Sequence, residues 1–278
     1  CTACCFQYFC IFDELIQNYK IQYKPIIKSF FMKISITLLS LFLGIQIAFA
    51  QKLKTVTYKD GEQKLLGMVT SNSGKKLSGV LILPAWKGID EEAKNAALEL
   101  QKQGYIAFVA DIYGEGNIPA DNAAAAKIAG SYKQDYKAYQ QRISVALEEL
   151  KKQGANPEKI AVIGYCFGGT GALETARAGF PVSGVVSIHG GLAKGNDRLN
   201  VPIKTKVLVE HPADDESVKP EDLTNLITEL KTGKTDFQII TYANSKHTFT
   251  SPESPDYNEV MAKRAWNHTL TFLKEILK

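Results

Sequence analysis

The residues of this chain with the means to do chemistry stand at the ends of apolar runs. Cys166 lies in Gly164-Tyr165-Cys166-Phe167-Gly168-Gly169, a Gly-x-Cys-x-Gly pattern. Glycines on either side remove the side chains that would clash where a strand turns sharply into a helix, and such a turn lifts the central residue clear of the sheet. A free thiol is only a few per cent thiolate at neutral pH, but the thiolate is a strong nucleophile toward carbonyl carbon. The Phe167 N–H opens the following helix, where the positive end of the dipole favours an oxyanion. Asp214-Asp215 follows a later apolar run, and His247 follows the next. Either carboxylate would orient an imidazole and stabilise its charged form. His189 and His211 also end apolar runs. In chains built on such an elbow the order is nucleophile, acid, histidine, and only His247 and His268 come after Asp215. His268 falls inside the last helix, between Trp266 and Leu270, which leaves His247 as the base.

The chemistry implied is attack of Cys166 on an ester or lactone carbonyl. The oxyanion would rest on the backbone N–H of Phe167 and on a second N–H from the loop after Gly79–Leu83, that of Trp86. His247 would protonate the leaving alkoxide and then activate water against the thioester. The scheme calls for no metal and no organic cofactor.

Alternating strands and helices must position these residues. Lys54–Lys59 and Lys64–Thr70 flank Asp60-Gly61, a favoured hairpin turn. Gly79–Leu83, Tyr105–Ala110, Lys159–Ile163, Val182–Ile188, Lys206–Glu210 and Asp236–Tyr242 read as further strands, the first as one buried on both faces. Helices are predicted from Ile89 to Gly104, along Tyr139–Leu150, from the elbow to about Ala178, over Pro220–Lys231 and from about Asn258 to the end. Ile112–Lys133, with Gly114, Gly116, Pro119 and four alanines from Ala123, reads as a loop and short helix lying over something. This alternation predicts a single α/β domain with a mainly parallel central sheet, helices on both faces and an N-terminal antiparallel hairpin. In such sheets ligands bind at the carboxyl ends of the strands, where Cys166, Asp215 and His247 fall.

Composition agrees with a globular chain: 278 residues, 45% hydrophobic, 22% charged and a net charge of +4. No block of basic residues argues for nucleic acid. Four of the five cysteines are Cys1, Cys4, Cys5 and Cys10. The first methionine is Met32, followed by Lys33, an apolar run Ile34–Ile47 and Ala48-Phe49-Ala50. That describes a secretory signal peptide, residues 32–50, cut after Ala50; an uncleaved anchor is the rival, but the run is short and diluted by Ser35, Thr37, Ser40 and Gln46. Residues 1–31 then read as an over-extended start and residues 51–278 as the working domain. The expected location is exported, periplasmic or secreted, with no stable membrane association after cleavage. Cys166 is the one cysteine left, so no metal-binding or redox Cys-x-x-Cys pair remains.

These residues resemble the dienelactone hydrolase family of α/β-hydrolases. Gly164–Gly169, the Asp-Asp-x-x-Val stretch ending at Val218, His247-Thr248-Phe249 and the tail from Tyr257-Asn258-Glu259 through Arg264-Ala265-Trp266 carry the likeness, which spans about residues 53–278. It implies a lactone or ester hydrolase with Cys166, Asp215 and His247 as its triad. The family's type member has a Glu near the resting nucleophile where this chain has Ala85. It also holds a substrate carboxylate with two arginines, where this chain has Glu115 and Thr250. Loss of those arginines removes charge-assisted carboxylate binding, so a neutral small-molecule ester or lactone is the expected partner rather than dienelactone itself. Tyr113, Glu115, Ile118, Tyr165 and Thr250, with Trp86, are the expected pocket residues. The competing reading is an exported carbohydrate- or peptide-binding module that keeps the hydrolase scaffold without useful turnover.

Overall fold

Each of the central strands is apolar at consecutive positions because both of its faces are covered. In the computed structural model, which describes residues 52–195 and 197–278, strand β3 (Gly79–Leu83) turns Leu81 and Leu83 toward one core cluster and Val80 and Ile82 toward another. Every one of these four side chains is fully buried, contributing roughly 1.5–3 kcal/mol each.

Eight strands form one sheet in the order β1-β2-β4-β3-β5-β6-β7-β8. The hairpin β1 (Lys54–Asp60) and β2 (Gln63–Val69) is antiparallel, and β2 meets β4 (Ile106–Val109) antiparallel as well. All other pairs are parallel: β3 with β4 and β5 (Ile160–Tyr165), then β6 (Gly184–Ile188), β7 (Lys206–Pro212) and β8 (Phe237–Tyr242) in succession. The chain runs outward from β3 to β4 and then returns across β3 to β5. The carboxyl ends of β3 and β5 therefore flank a topological switch point, the place where an open α/β sheet leaves a crevice.

Helices α1 (Glu91–Lys102) and α6 (Glu259–Ile276) cover one face, through Ala93, Ala97 and Leu100 of α1 and Leu273 of α6. The other face carries α3 (Tyr136–Lys152), α4 (Phe167–Arg177) and α5 (Pro220–Thr232), anchored by Tyr139, Ile143, Leu173 and Leu230. The segment expected to hold a short helix contains the thirteen-residue α2 (Asn122–Gln134), whose start is fixed by the Asp121 carboxylate accepting from the Ala124 N–H. Its alanine run favours helix intrinsically and buries Ala125 and Ala129. Strand β5 runs through Gly164 to Tyr165, two residues beyond the expected end, and β7 to Pro212.

Gln51–Lys278 forms one compact unit. Among the described residues no helix is long and apolar enough to cross a membrane. The expected signal peptide and the segment before it lie outside the described residues.

Candidate active site

The elbow after β5 is tight enough to require both of its glycines. A Cβ at Gly164 would overlap the Gly168 carbonyl, and one at Gly168 would overlap the Leu83 carbonyl at the end of β3. The backbone between them is forced into an unusual conformation: Cys166 has φ +53° and ψ −113°. For a non-glycine residue that costs about 1–3 kcal/mol, and the surrounding contacts must sustain it. Tyr139 of α3 stacks flat on Phe167 at 4.5 Å and donates its hydroxyl to the Phe167 carbonyl at 3.0 Å. Phe167 is the first residue of α4, so its N–H has no intrahelical acceptor.

Cys166 Sγ lies 3.1 Å from Nε2 of His247, which stands in the loop after β8. His247 Nδ1 faces Asp215, 2.9 Å from Oδ2 and 3.1 Å from Oδ1, in the loop after β7. The Asp215 side chain is wholly buried while Asp214 points to solvent, which settles which of the two carboxylates reaches the imidazole. Ser217 adds a contact the sequence did not single out: its hydroxyl donates to Asp215 Oδ1 at 2.6 Å and lies 2.8 Å from His247 Nδ1. Burial opposes ionisation of Asp215, but the hydrogen bonds from His247 and Ser217 outweigh it and hold the carboxyl below its usual range. Burial likewise opposes the charged form of His247. Its hydrogen bonds to Asp215 and Cys166 prevail, and the imidazole is pushed up to about 10. His268 is occupied elsewhere, with Nδ1 2.8 Å from the Tyr242 hydroxyl.

A cavity of about 650 Å³ opens onto Cys166 and His247. Ala85 and Trp86 wall it from the loop after β3, Phe167 from the elbow, and Ala126, Ala129 and Gly130 from α2. Its charged lining comprises Lys87 and Lys133 against Asp90, Glu92 and Glu253. The loop after β3 is itself braced. Asp111 accepts from the Tyr113 and Gly114 N–H groups, and the Tyr113 hydroxyl donates to the Trp86 carbonyl at 2.7 Å.

Of the expected pocket residues, Trp86 lines this cavity and five do not. Tyr113 is buried behind Trp86 with its ring stacked on Phe167. Glu115 lies on the surface, paired with Lys64 at 3.0 Å. Ile118 is 55% exposed and borders a separate depression next to α2. Tyr165 ends β5 on the same face as Ala161 and Ile163, in the core cluster under α1 and α6, and lines a second cavity with Trp266. Thr250 lines that second cavity too, bonded to His189 and Glu92.

Two further titratable residues approach Cys166. His189, after β6 and excluded as the base by chain order, is 1% exposed, and its Nδ1 accepts from the Cys166 N–H. Glu92, on the first turn of α1, puts a carboxyl into the cavity although Ala85 cannot. Burial pushes it up to about 7, despite the Thr250 hydrogen bond, which works the other way.

The model of the dienelactone hydrolase family matches residues 65–277. This chain belongs to that family. Membership makes it an α/β hydrolase acting on carboxylic ester or lactone bonds. A probable 2-oxo-3-(5-oxofuran-2-ylidene)propanoate lactonase of Bradyrhizobium sp is 26% identical over 227 residues, 77% of this chain and 90% of that relative. A dienelactone hydrolase-like promiscuous phosphotriesterase from metagenomic libraries is 30% identical with a TM-score of 0.77, over 82% of this chain and all of that one, 100%. A thermophilic esterase of Thermogutta terrifontis shares the fold at 13% identity and a TM-score of 0.61, over 81% of this chain and 94% of that one.

Proposed function

We propose that this dienelactone hydrolase family member cleaves neutral esters or lactones with Cys166 as nucleophile, through a thioester. The observation that carries the reading is one imidazole shared by two partners: His247 reaches Sγ at 3.1 Å with Nε2 and the buried Asp215 carboxylate at 2.9 Å with Nδ1. A histidine pushed up to about 10 keeps its proton through neutral pH, so the proton shared with sulfur is read as residing on Nε2. Sulfur attacks the carbonyl carbon, and the carbonyl electron pair becomes an oxyanion facing the Phe167 and Trp86 N–H groups. As that pair returns, the carbon–oxygen bond to the alcohol breaks and His247 hands its proton to the alkoxide. Neutral His247 then takes a proton from water, whose oxygen attacks the thioester. Collapse releases the acid and returns sulfur and imidazolium to their starting state.

The cavity lining supports a neutral substrate. Among the described residues no arginine borders it, and its two lysines face three carboxylates, so nothing described there matches the paired arginines that would clamp an anion. We also propose that the working chain is exported and begins after Ala50, on the signal-like run from Met32.

The test is turnover of short-chain aryl esters and lactones by wild type and Cys166→Ala, with intact-mass detection of an acylated enzyme. Wild type is expected to accumulate one acyl group that alkali or hydroxylamine removes. Equal rates for the two proteins would remove Cys166 from the mechanism.

A further inference from the structure

His189 is buried between the elbow and the loop after β8, and the scheme above gives it no task. Its hydrogen bonds have only one consistent direction. The Cys166 backbone N–H donates to His189 Nδ1 at 3.1 Å, sharing that proton with the Ile188 carbonyl at 3.0 Å. A ring nitrogen that accepts carries no proton, so the neutral ring must hold its proton on Nε2. That N–H meets Thr250 Oγ1 at 2.8 Å, and the Thr250 hydroxyl passes its own proton toward Glu92 Oε1 at 2.5 Å. Burial and the facing His247 ring, 5.3 Å away and edge-on, keep His189 uncharged, pushing it down to about 3.

We propose that Glu92 and Thr250 are positioning residues for this hydrolase, acting through His189 to hold the Cys166 backbone in its elbow conformation. The inference rests on the reading of Cys166 as nucleophile. A carboxyl acceptor at the far end fixes the threonine hydroxyl, the hydroxyl fixes the histidine tautomer, and that tautomer leaves Nδ1 free to capture the Cys166 amide. The other tautomer would aim one N–H at another. Because Cys166 is strained at φ +53°, a lost amide acceptor lets the turn relax, moving Sγ and the adjoining Phe167 amide together. Such motion lowers kcat without altering the walls of the cavity. Glu92 also borders the cavity that holds Cys166, so it has a direct route to His247 or substrate as well. The experiment must separate the two routes.

A double-mutant cycle on Thr250→Val and Glu92→Gln does so, read by kcat and KM on p-nitrophenyl acetate and, without turnover, by the rate of iodoacetamide alkylation of Cys166. Thr250→Val is expected to lower kcat about five- to tenfold with KM within about twofold, and to slow alkylation in parallel. Thr250→Ser, which keeps the hydroxyl, is expected to stay near wild type. Glu92→Gln is expected to cost activity in the wild-type background and nothing further in Thr250→Val. A Glu92→Gln loss that persists undiminished in the Thr250→Val background overturns the proposal in favour of direct action. So does a Thr250→Ser variant no better than Thr250→Val, or a Thr250→Val variant with unchanged kcat. Thr250→Ala carries the same comparison where the valine chain does not fold. Should Cys166→Ala keep its turnover, the nucleophile reading fails on that result, while the alkylation rates still report on the chain of bonds behind it.

Discussion

His247 Nε2 stands 3.1 Å from Cys166 Sγ, although 81 residues separate the two in the chain. Each is held by the end of a parallel strand, β5 for the cysteine and β8 for the histidine, with β6 and β7 between them in the sheet. The loops after β5 and β8 must therefore lean toward each other over the sheet edge, and the loop after β7 supplies the carboxylate that completes the bridge. The histidine needs that carboxylate. Burial alone would drive its charge away, and only the bonds to Asp215 and Cys166 turn the balance toward the imidazolium.

Replacing Asp215 by Asn removes that balance while keeping the shape. The amide leaves Nδ1 with a neutral partner and Cys166 alone opposing burial, so the His247 pKa is expected to fall well below about 10. The proton available to the leaving alkoxide goes with it. Ester turnover at pH 7.5 is expected to drop about 10³-fold or more, by analogy with the same change in serine hydrolases. NMR titration of the ring gives the pKa independently of activity. A ring still titrating near 10 in Asp215→Asn would show that Asp215 is not what holds the charge.

Ser217→Ala should do less. Its hydroxyl bonds both Asp215 Oδ1 and the region of His247 Nδ1, at 2.6 and 2.8 Å, but Asp215 also accepts from the Ser217 N–H, which the alanine retains. One lost hydrogen bond to a carboxylate is worth about 1–2 kcal/mol, so a fall in kcat of about tenfold is expected at constant KM. A loss as large as that of Asp215→Asn would assign the hydroxyl a part in proton transfer instead.

Why the sequence revealed some of this and hid the rest follows from what each residue depends on. Cys166, Asp215 and His247 each follow an apolar run, and an α/β alternation sends such positions to one edge of the sheet; chain order then singles out His247, and the family resemblance favours Asp215 over Asp214. His189 closes an apolar run too, but its link is to a backbone amide, which leaves no trace in chain order. Glu92 reads as a helix-dipole residue, since Glu91 and Glu92 open α1 behind the Asp90 cap. Its reach into the cavity depends on how α1 rotates against β3 and β4. Tyr165 faces the α1/α6 side because it ends β5 in register with Ile163, while the elbow turns Cys166 toward the other core cluster; Tyr113 is a case where a bracing hydroxyl and a pocket wall look alike in sequence.

Glu92 should also set a pH dependence of stability. Its folded pKa of about 7 lies above the ordinary 4.5, so between those values the folded chain keeps a proton that the unfolded chain has released. Stability from this group is therefore full below about pH 4.5, declines as pH rises, and is at its minimum above about pH 7. Glu92→Gln abolishes the titration. Relative to wild type it is expected to gain up to about 3 kcal/mol at pH 8 and nothing from this source at pH 4.5, in urea unfolding at both values. A difference independent of pH would mean that Glu92 is not desolvated in the folded chain. Coupled with the activity loss argued above, the gain would mark Glu92 as a site where function is kept at the expense of stability.

Gly168→Ala tests the elbow itself. The added Cβ would overlap the Leu83 carbonyl, and both groups are backbone, one in the first turn of α4 and one at the end of β3, so neither yields by a rotamer change. Relief requires α4 to move away from the sheet, which separates the Phe167 amide from Trp86 and shifts Sγ relative to His247. The helix also carries buried residues along its whole length, so moving it opens the core on that face. A destabilisation of about 2–4 kcal/mol is expected, with activity lost beyond what the unfolded fraction explains. Gly130→Ala is the control: a Cβ there meets nothing within 4 Å, and as a mid-helix Gly→Ala change in α2 it is expected to stabilise slightly, by about 0.5–1 kcal/mol. An active, stable Gly168→Ala protein would show that the elbow has room for a side chain, and the strain argued at Cys166 would lose its main support.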